Sequence, residues 1–95
     1  MVIKVKKNTS MDERAKAIVR HYIINRRHAS ASFKEDDFEV FIVWKVKALQ
    51  NWKWLISTDL LDAMYYEVTY NGDKREFYLD AYEKYENDLY YIHED

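Results

Sequence analysis

The sequence predicts an α+β fold, one N-terminal helix packed on a four- to five-stranded antiparallel meander sheet. Three observations carry this. A helical apolar stripe is confined to the first third of the chain. The run Glu39–Thr58 holds all three tryptophans amid β-branched and aromatic residues, and a second such run, Met64–Tyr70, ends in Asn71-Gly72. Ninety-five residues amount to one domain, residues 1–95, with a single modest core.

The first nine residues alternate weakly and read either as a short edge strand guarded by lysines or as a frayed arm. Ser10-Met11-Asp12-Glu13 has the pattern of a capping box, with carboxylates at the positive end of the helix dipole. Ala15, Ile18, Val19, Tyr22 and Ile23 then follow helical spacing, which places a helix over about Met11–Arg27. Small residues from Ala29 to Ser32 end the period, and Glu35-Asp36-Asp37 turns the chain into the first strand.

Gln50-Asn51 interrupts the long apolar run, so it reads as two strands joined by a two-residue loop. That register sets Leu49 opposite Trp52, Lys47 opposite Trp54 and Lys45 opposite Ile56. Ile42, Trp44, Val46 and Ala48 then share the face that meets the helix. The other face presents Trp52, Trp54 and Ile56 to solvent, interleaved with Lys45 and Lys47. Asn71-Gly72 predicts a type I′ turn that places Met64 opposite Leu79, Tyr66 opposite Phe77 and Val68 opposite Arg75. This leaves Glu67 facing Glu76, a like-charge pair that a lysine from a neighbouring strand would offset if the strands form one sheet. Beyond Asp80 the sequence suits either a short strand at Leu89–Ile92 or a helical turn.

Composition narrows the function classes. A hydrophobic fraction of 48% is too high for a disordered chain. With no cysteine there is neither a disulfide scaffold nor a thiolate metal site, which fits a reducing, cytoplasmic setting. No apolar run approaches a membrane span, and no secretory leader opens the chain. The formal charge of −2 conceals a strong asymmetry. Residues 1–34 carry +7, residues 35–53 carry −1 and residues 54–95 carry −8. Such polarity either steers a charged partner or lets the two halves attract each other across the fold.

The segments Val43–Thr58 (VWKVKALQNWKWLIST) and Met64–Tyr82 (MYYEVTYNGDKREFYLDAY), in that order, resemble a family of small uncharacterised proteins. Phages, prophages and their Gram-positive bacterial hosts encode them. The likeness runs from about Phe38 to Glu86. Where the family pattern has Leu-Pro-Asp-Gly before the Tyr-Tyr strand, this chain has Leu60-Leu61-Asp62-Ala63. The rigid turn that proline and glycine would make is therefore not expected here. The resemblance implies a phage or prophage accessory protein of the host cytoplasm and no particular chemistry. Small phage proteins of this kind often disable a host enzyme or defence system by binding it, so the resemblance implies an inhibitor in the manner of anti-CRISPR proteins.

For catalysis the sequence is poor. His21, His28 and His93 are scattered, Ser10 is a cap, and the one glycine is committed to a turn. Glu67, Glu76 and Asp80 could meet around a divalent cation but read better as a solvated strand face. No catalytic residue, metal or cofactor is expected. Nine tyrosines and three tryptophans exceed what so small a core buries, which points to an interface. The candidate partner-binding patch is Trp52, Trp54, Tyr65 and Tyr78 with Lys45 and Lys47 at its rim, facing a bacterial host protein. A second copy of the chain, making a homodimer, is the bland alternative. The same lysines and tryptophans could stack single-stranded nucleic acid, a reading the net negative charge disfavours. A further variant uses an acidic edge, Asp73, Glu76, Asp80, Glu83 and Glu86, as a mimic of DNA phosphates.

Overall fold

Ser10 opens the helix as expected: its hydroxyl accepts the Glu13 amide at 3.1 Å, and α1 runs Met11–Tyr22. The return half of the capping box does not form, because Glu13 lies 3.5 Å from Lys16 instead. The next turn, Ile23–Arg27, widens into a π-helix closed by His28 N–H donating to the Ile23 carbonyl. The expected extent, Met11–Arg27, is therefore helical throughout, with a change of winding at its end. Ala15, Val19 and Ile23 make the fully buried line, four residues apart on one face. A computed structural model describes residues 1–94 of the chain; Asp95 lies outside the described residues.

Four strands follow: β1 Val40–Ala48, β2 Asn51–Thr58, β3 Met64–Asn71 and β4 Glu76–Glu83. They pair in chain order as one antiparallel meander. This is the expected α+β architecture with four strands. The described tail, residues 84–94, has neither the strand at Leu89–Ile92 nor a helical turn. The first nine residues form an arm without strand structure, tied down by Arg14, whose guanidinium donates to the carbonyls of Thr9 and Lys7.

Both hairpin registers differ from expectation: the first by two residues up to the bulge and by three beyond it, the second by four. In the first, Leu49-Gln50 is the loop, so Lys47 faces Trp52 and Lys45 faces Trp54. Leu49 takes a φ of 57° to make that turn. In the second, a four-residue loop, Gly72–Arg75, replaces the type I′ turn, and Val68 faces Leu79 while Tyr70 faces Phe77. The Asn71 side chain stabilises this loop by accepting from the amides of Asp73 and Lys74, and Arg75 rather than the glycine takes positive φ. Arg75 thereby leaves the apolar face, which gains the Val68–Leu79 and Tyr70–Phe77 pairs, while Met64 comes to lie opposite Glu83 at the far end. The like-charge pair survives as Glu67 opposite Asp80, with Lys53 reaching Glu67 at 3.7 Å.

Gly72 is needed for a different reason than turn geometry. A β-carbon there would overlap the Gln50 carbonyl oxygen, and its amide donates to Asn51 at 2.9 Å. The two hairpin tips are packed against each other through this residue.

A β-bulge between Ile42 and Trp44 changes which side chains face the helix. Before it, Val40 and Ile42 lie opposite Thr58 and Ile56, on the side of Trp54; after it, Lys45 and Lys47 do. The core is accordingly Ala15, Val19 and Ile23 of the helix segment against Trp54, Ile56, Met64, Tyr66 and Val68, with Phe38 and Val40 at one end.

Candidate functional site: the open face of the sheet

Trp54 is the chief correction to the sequence reading. It is 0% exposed, under the helix, and its indole N–H donates to Asp12 at 2.9 Å. Trp52 stacks on it with ring centroids 5.4 Å apart and planes at 10°, and is itself half-buried. Lys45 and Lys47 lie over the Trp52 ring, at 5.9 and 5.3 Å from its centroid. Lys45 also bonds the second Asp12 oxygen at 2.7 Å. These four residues are on the helix side of the sheet. The physical reason is that β2 alternates Trp52, Trp54, Ile56 against Lys53, Leu55, Ser57, and the larger apolar payload goes inside. The lysines sit on an edge strand, where long side chains reach past the core to solvent and to Asp12.

Tyr65 and Tyr78 lie on the other face, so the six expected patch residues are divided between two surfaces. Tyr65 is opposite Tyr82 and Tyr78 opposite Thr69. The same face brings together Trp44 opposite Leu55 and Phe41 opposite Ser57. No helix covers it. Trp44, Phe41, Val46, Tyr78 and Tyr82 are 42–53% exposed. For strand residues on one face of a sheet, this is a large uncovered aromatic surface. Lys53, Glu67 and Asp80 form a charged stripe across this face, with Tyr65 and Tyr82 on one side and Tyr78 on the other, and Glu76 stands at the start of β4.

Trp44, Phe41, Leu55 and Tyr82 were missing from the sequence-based patch. The bulge exchanges Phe41 and Ile42 between faces, and no residue type announces it. The β2 alternation was a readable signal, outweighed by the two lysines.

The acidic edge is also divided. Glu76 and Asp80 are on the open face, opposite Asn71 and Glu67. Glu83 faces Met64 on the helix side, Asp73 is in the hairpin loop bonded to Gln50, and Glu86 is in the extended tail. Among the described residues no group of three His, Asp or Glu could hold a metal ion, and no helix is long and apolar enough to cross a membrane.

At the opposite end of the helix, His28 meets Asp62 at 2.9 Å, and Asp62 also accepts the Met64 amide. Ala63 beside it has a φ of 57°, a conformation that glycine adopts without strain. The Leu-Leu-Asp-Ala turn is therefore built, with Asp62 as its organiser. Tyr66 is fully buried with no partner for its hydroxyl, and burial, reinforced by the Asp62 charge, pushes its phenol up to about 12.

A family model described as a family of unknown function (DUF6275) matches residues 12–92. The chain belongs to that family. The DUF6275 match begins at Asp12, which bonds Trp54 and Lys45, and extends through the tail to Ile92. No curated protein and no solved structure matches the chain.

Proposed function

We propose that this DUF6275 protein is a phage or prophage accessory protein that works by docking the open face of its sheet on a bacterial host protein, modulating or inhibiting a host enzyme or defence system. The observation that carries the reading is the uncovered face itself. Rigid aromatic side chains on a preformed sheet bind at low entropic cost, and Trp and Tyr are the residues that dominate interface energies. Trp44, on the edge strand β1, is the main anchor, flanked by Phe41, Val46 and Leu55, with Tyr65 and Tyr82 on one side of the charged stripe and Tyr78 on the other. The resemblance to small phage and prophage proteins supplies the setting, which is the cytoplasm of the host cell.

The single-strand nucleic-acid reading has weaker support. Trp54 is sealed, and Trp52 has Trp54 stacked on it and two lysines over its ring, so neither ring is free to stack on a base. The open face carries Glu67 and Asp80 rather than a basic track.

The test is capture of the tagged protein from its host, identification of the bound protein, and reconstitution of the pair from purified components. A complex that forms with the wild type and not with Trp44→Ser supports the reading. A complex indifferent to every open-face substitution overturns it.

A further inference from the structure

The two charged ends of the sequence remain apart in the fold. Among the described residues, no Lys or Arg of residues 1–34 makes a salt bridge to a carboxylate of residues 54–95, and His28 reaches Asp62 by a hydrogen bond. The tail carries part of the acidic surplus, Glu86, Asp88 and Glu94, beside an apolar cluster. That cluster has no counterpart in its own domain: Tyr85, Leu89, Tyr90, Tyr91 and Ile92 are 78–92% exposed.

A receptor of matching character lies on the helix side. Between α1, the N-terminal arm and the start of β4 is a groove of about 730 Å³. Ile18, Tyr22, Phe77 and Leu79 supply its apolar lining, and Arg26 and Arg75 are its exposed cations. His21, also in the lining, has a buried Nε2 without a partner. Glu76 is the one carboxylate among the lining residues.

We infer that this groove receives the C-terminal segment of a second copy of the chain, around Glu86–Ile92, so that two copies exchange tails. Charge selects the groove over the open sheet face, because the open face sets Glu67 and Asp80 against an acidic segment while the groove offers arginines. Reach selects a second copy over the chain's own tail. Lys84 still donates to the Ala63 carbonyl, so the chain cannot reverse before Tyr85. A two-residue reversal at Tyr85-Glu86 then places Ile92 beside Leu79 and Leu89 beside Tyr82. That brings only Ile92 to the near end of the groove at Leu79 and leaves the rest of the cluster short of Phe77 and Arg75. A tail arriving from another copy has no such restriction, and a two-fold exchange fills both grooves alike. This surface is independent of the open face and of its proposed partner.

The test uses the full chain in light scattering and sedimentation across concentration and salt. The expected result is a dimer that weakens with added salt. Removing residues 84–95 should give a folded monomer, since Tyr85, Leu89, Tyr90, Tyr91 and Ile92 are 78–92% exposed. The pair Arg26→Glu and Arg75→Glu should weaken the dimer by about tenfold or more. Adding Glu86→Lys and Asp88→Lys to that variant should restore it. The synthetic peptide of residues 84–95 should bind the shortened chain and protect its groove in hydrogen exchange. A full chain that stays monomeric at millimolar concentration, a dimer that survives removal of the tail, or a tail found against its own Leu79 overturns the inference.

Discussion

Asp12 bridges the helix to the sheet: one carboxylate oxygen accepts the Trp54 indole N–H at 2.9 Å and the other takes the Lys45 ammonium at 2.7 Å. A residue of the helix's first turn thus reaches β2 and β1 together, and the bridge sets which face of the sheet the helix covers. The Lys45 hydrogen bond, with that of Trp54 beside it, holds the Asp12 carboxyl below its ordinary 3.8. A carboxyl lowered in the fold adds stability above that ordinary value, and the gain is lost as pH falls through the lowered one. Asp12→Asn should therefore be less stable than the wild type at neutral pH, with the gap closing below pH 3.8. Denaturant titrations across that range read it directly. Asp12→Ala should cost about 1–3 kcal/mol, because the buried indole N–H loses its acceptor.

Tyr66 offers a contrasting case. Its hydroxyl is buried without a partner, so Tyr66→Phe removes a desolvation penalty at little cost in packing. The variant should be more stable by about 1 kcal/mol in a thermal melt. The wild type should also lose stability as pH rises from 10 through about 12, where the unfolded phenol ionises first, and Tyr66→Phe should lack that contribution.

Ala63 holds a φ of 57°, the left-handed conformation that favours glycine. Relieving that conformation by Ala63→Gly should raise stability by about 1 kcal/mol, offset in part by the greater freedom of the unfolded chain. Equilibrium unfolding in urea checks it.

Gly72 should not tolerate even a methyl group, because the Gln50 backbone occupies its space. Gly72→Ala is expected to cost about 1–3 kcal/mol and to loosen both hairpin tips, seen as faster amide exchange at Asn51 and Gly72.

Much of the fold could be read from residues with strong local chemistry. Ser10 and the Ala15–Val19–Ile23 line located the helix, and the tryptophan-rich and tyrosine-rich runs located four strands in the right order. Register was less legible, because a shift by an even number of residues preserves every face and alternation alone cannot detect it. Asn71-Gly72 was persuasive as a tight turn, yet the four-residue loop wins by moving Arg75 out of the apolar face and seating Gly72 against Gln50. The site was half legible. Tyr65 and Tyr78 are on the open face, but Lys45 and Lys47 made the Trp52–Trp54 side look solvated, when one of those lysines is the partner of a helix carboxylate. The bulge after Ile42 depends on the whole sheet and leaves no mark on composition.

The account rests on the uncovered face of the sheet being a docking surface, with Trp44 as its main anchor. The most direct measurement is calorimetric affinity for the purified host partner, compared among the wild type, Trp44→Ser and the chain lacking residues 84–95. Trp44→Ser should fold, with stability within about 1 kcal/mol of the wild type, and should bind about tenfold or more weaker, while loss of the tail leaves affinity unchanged. Equal affinity for Trp44→Ser and the wild type would contradict it.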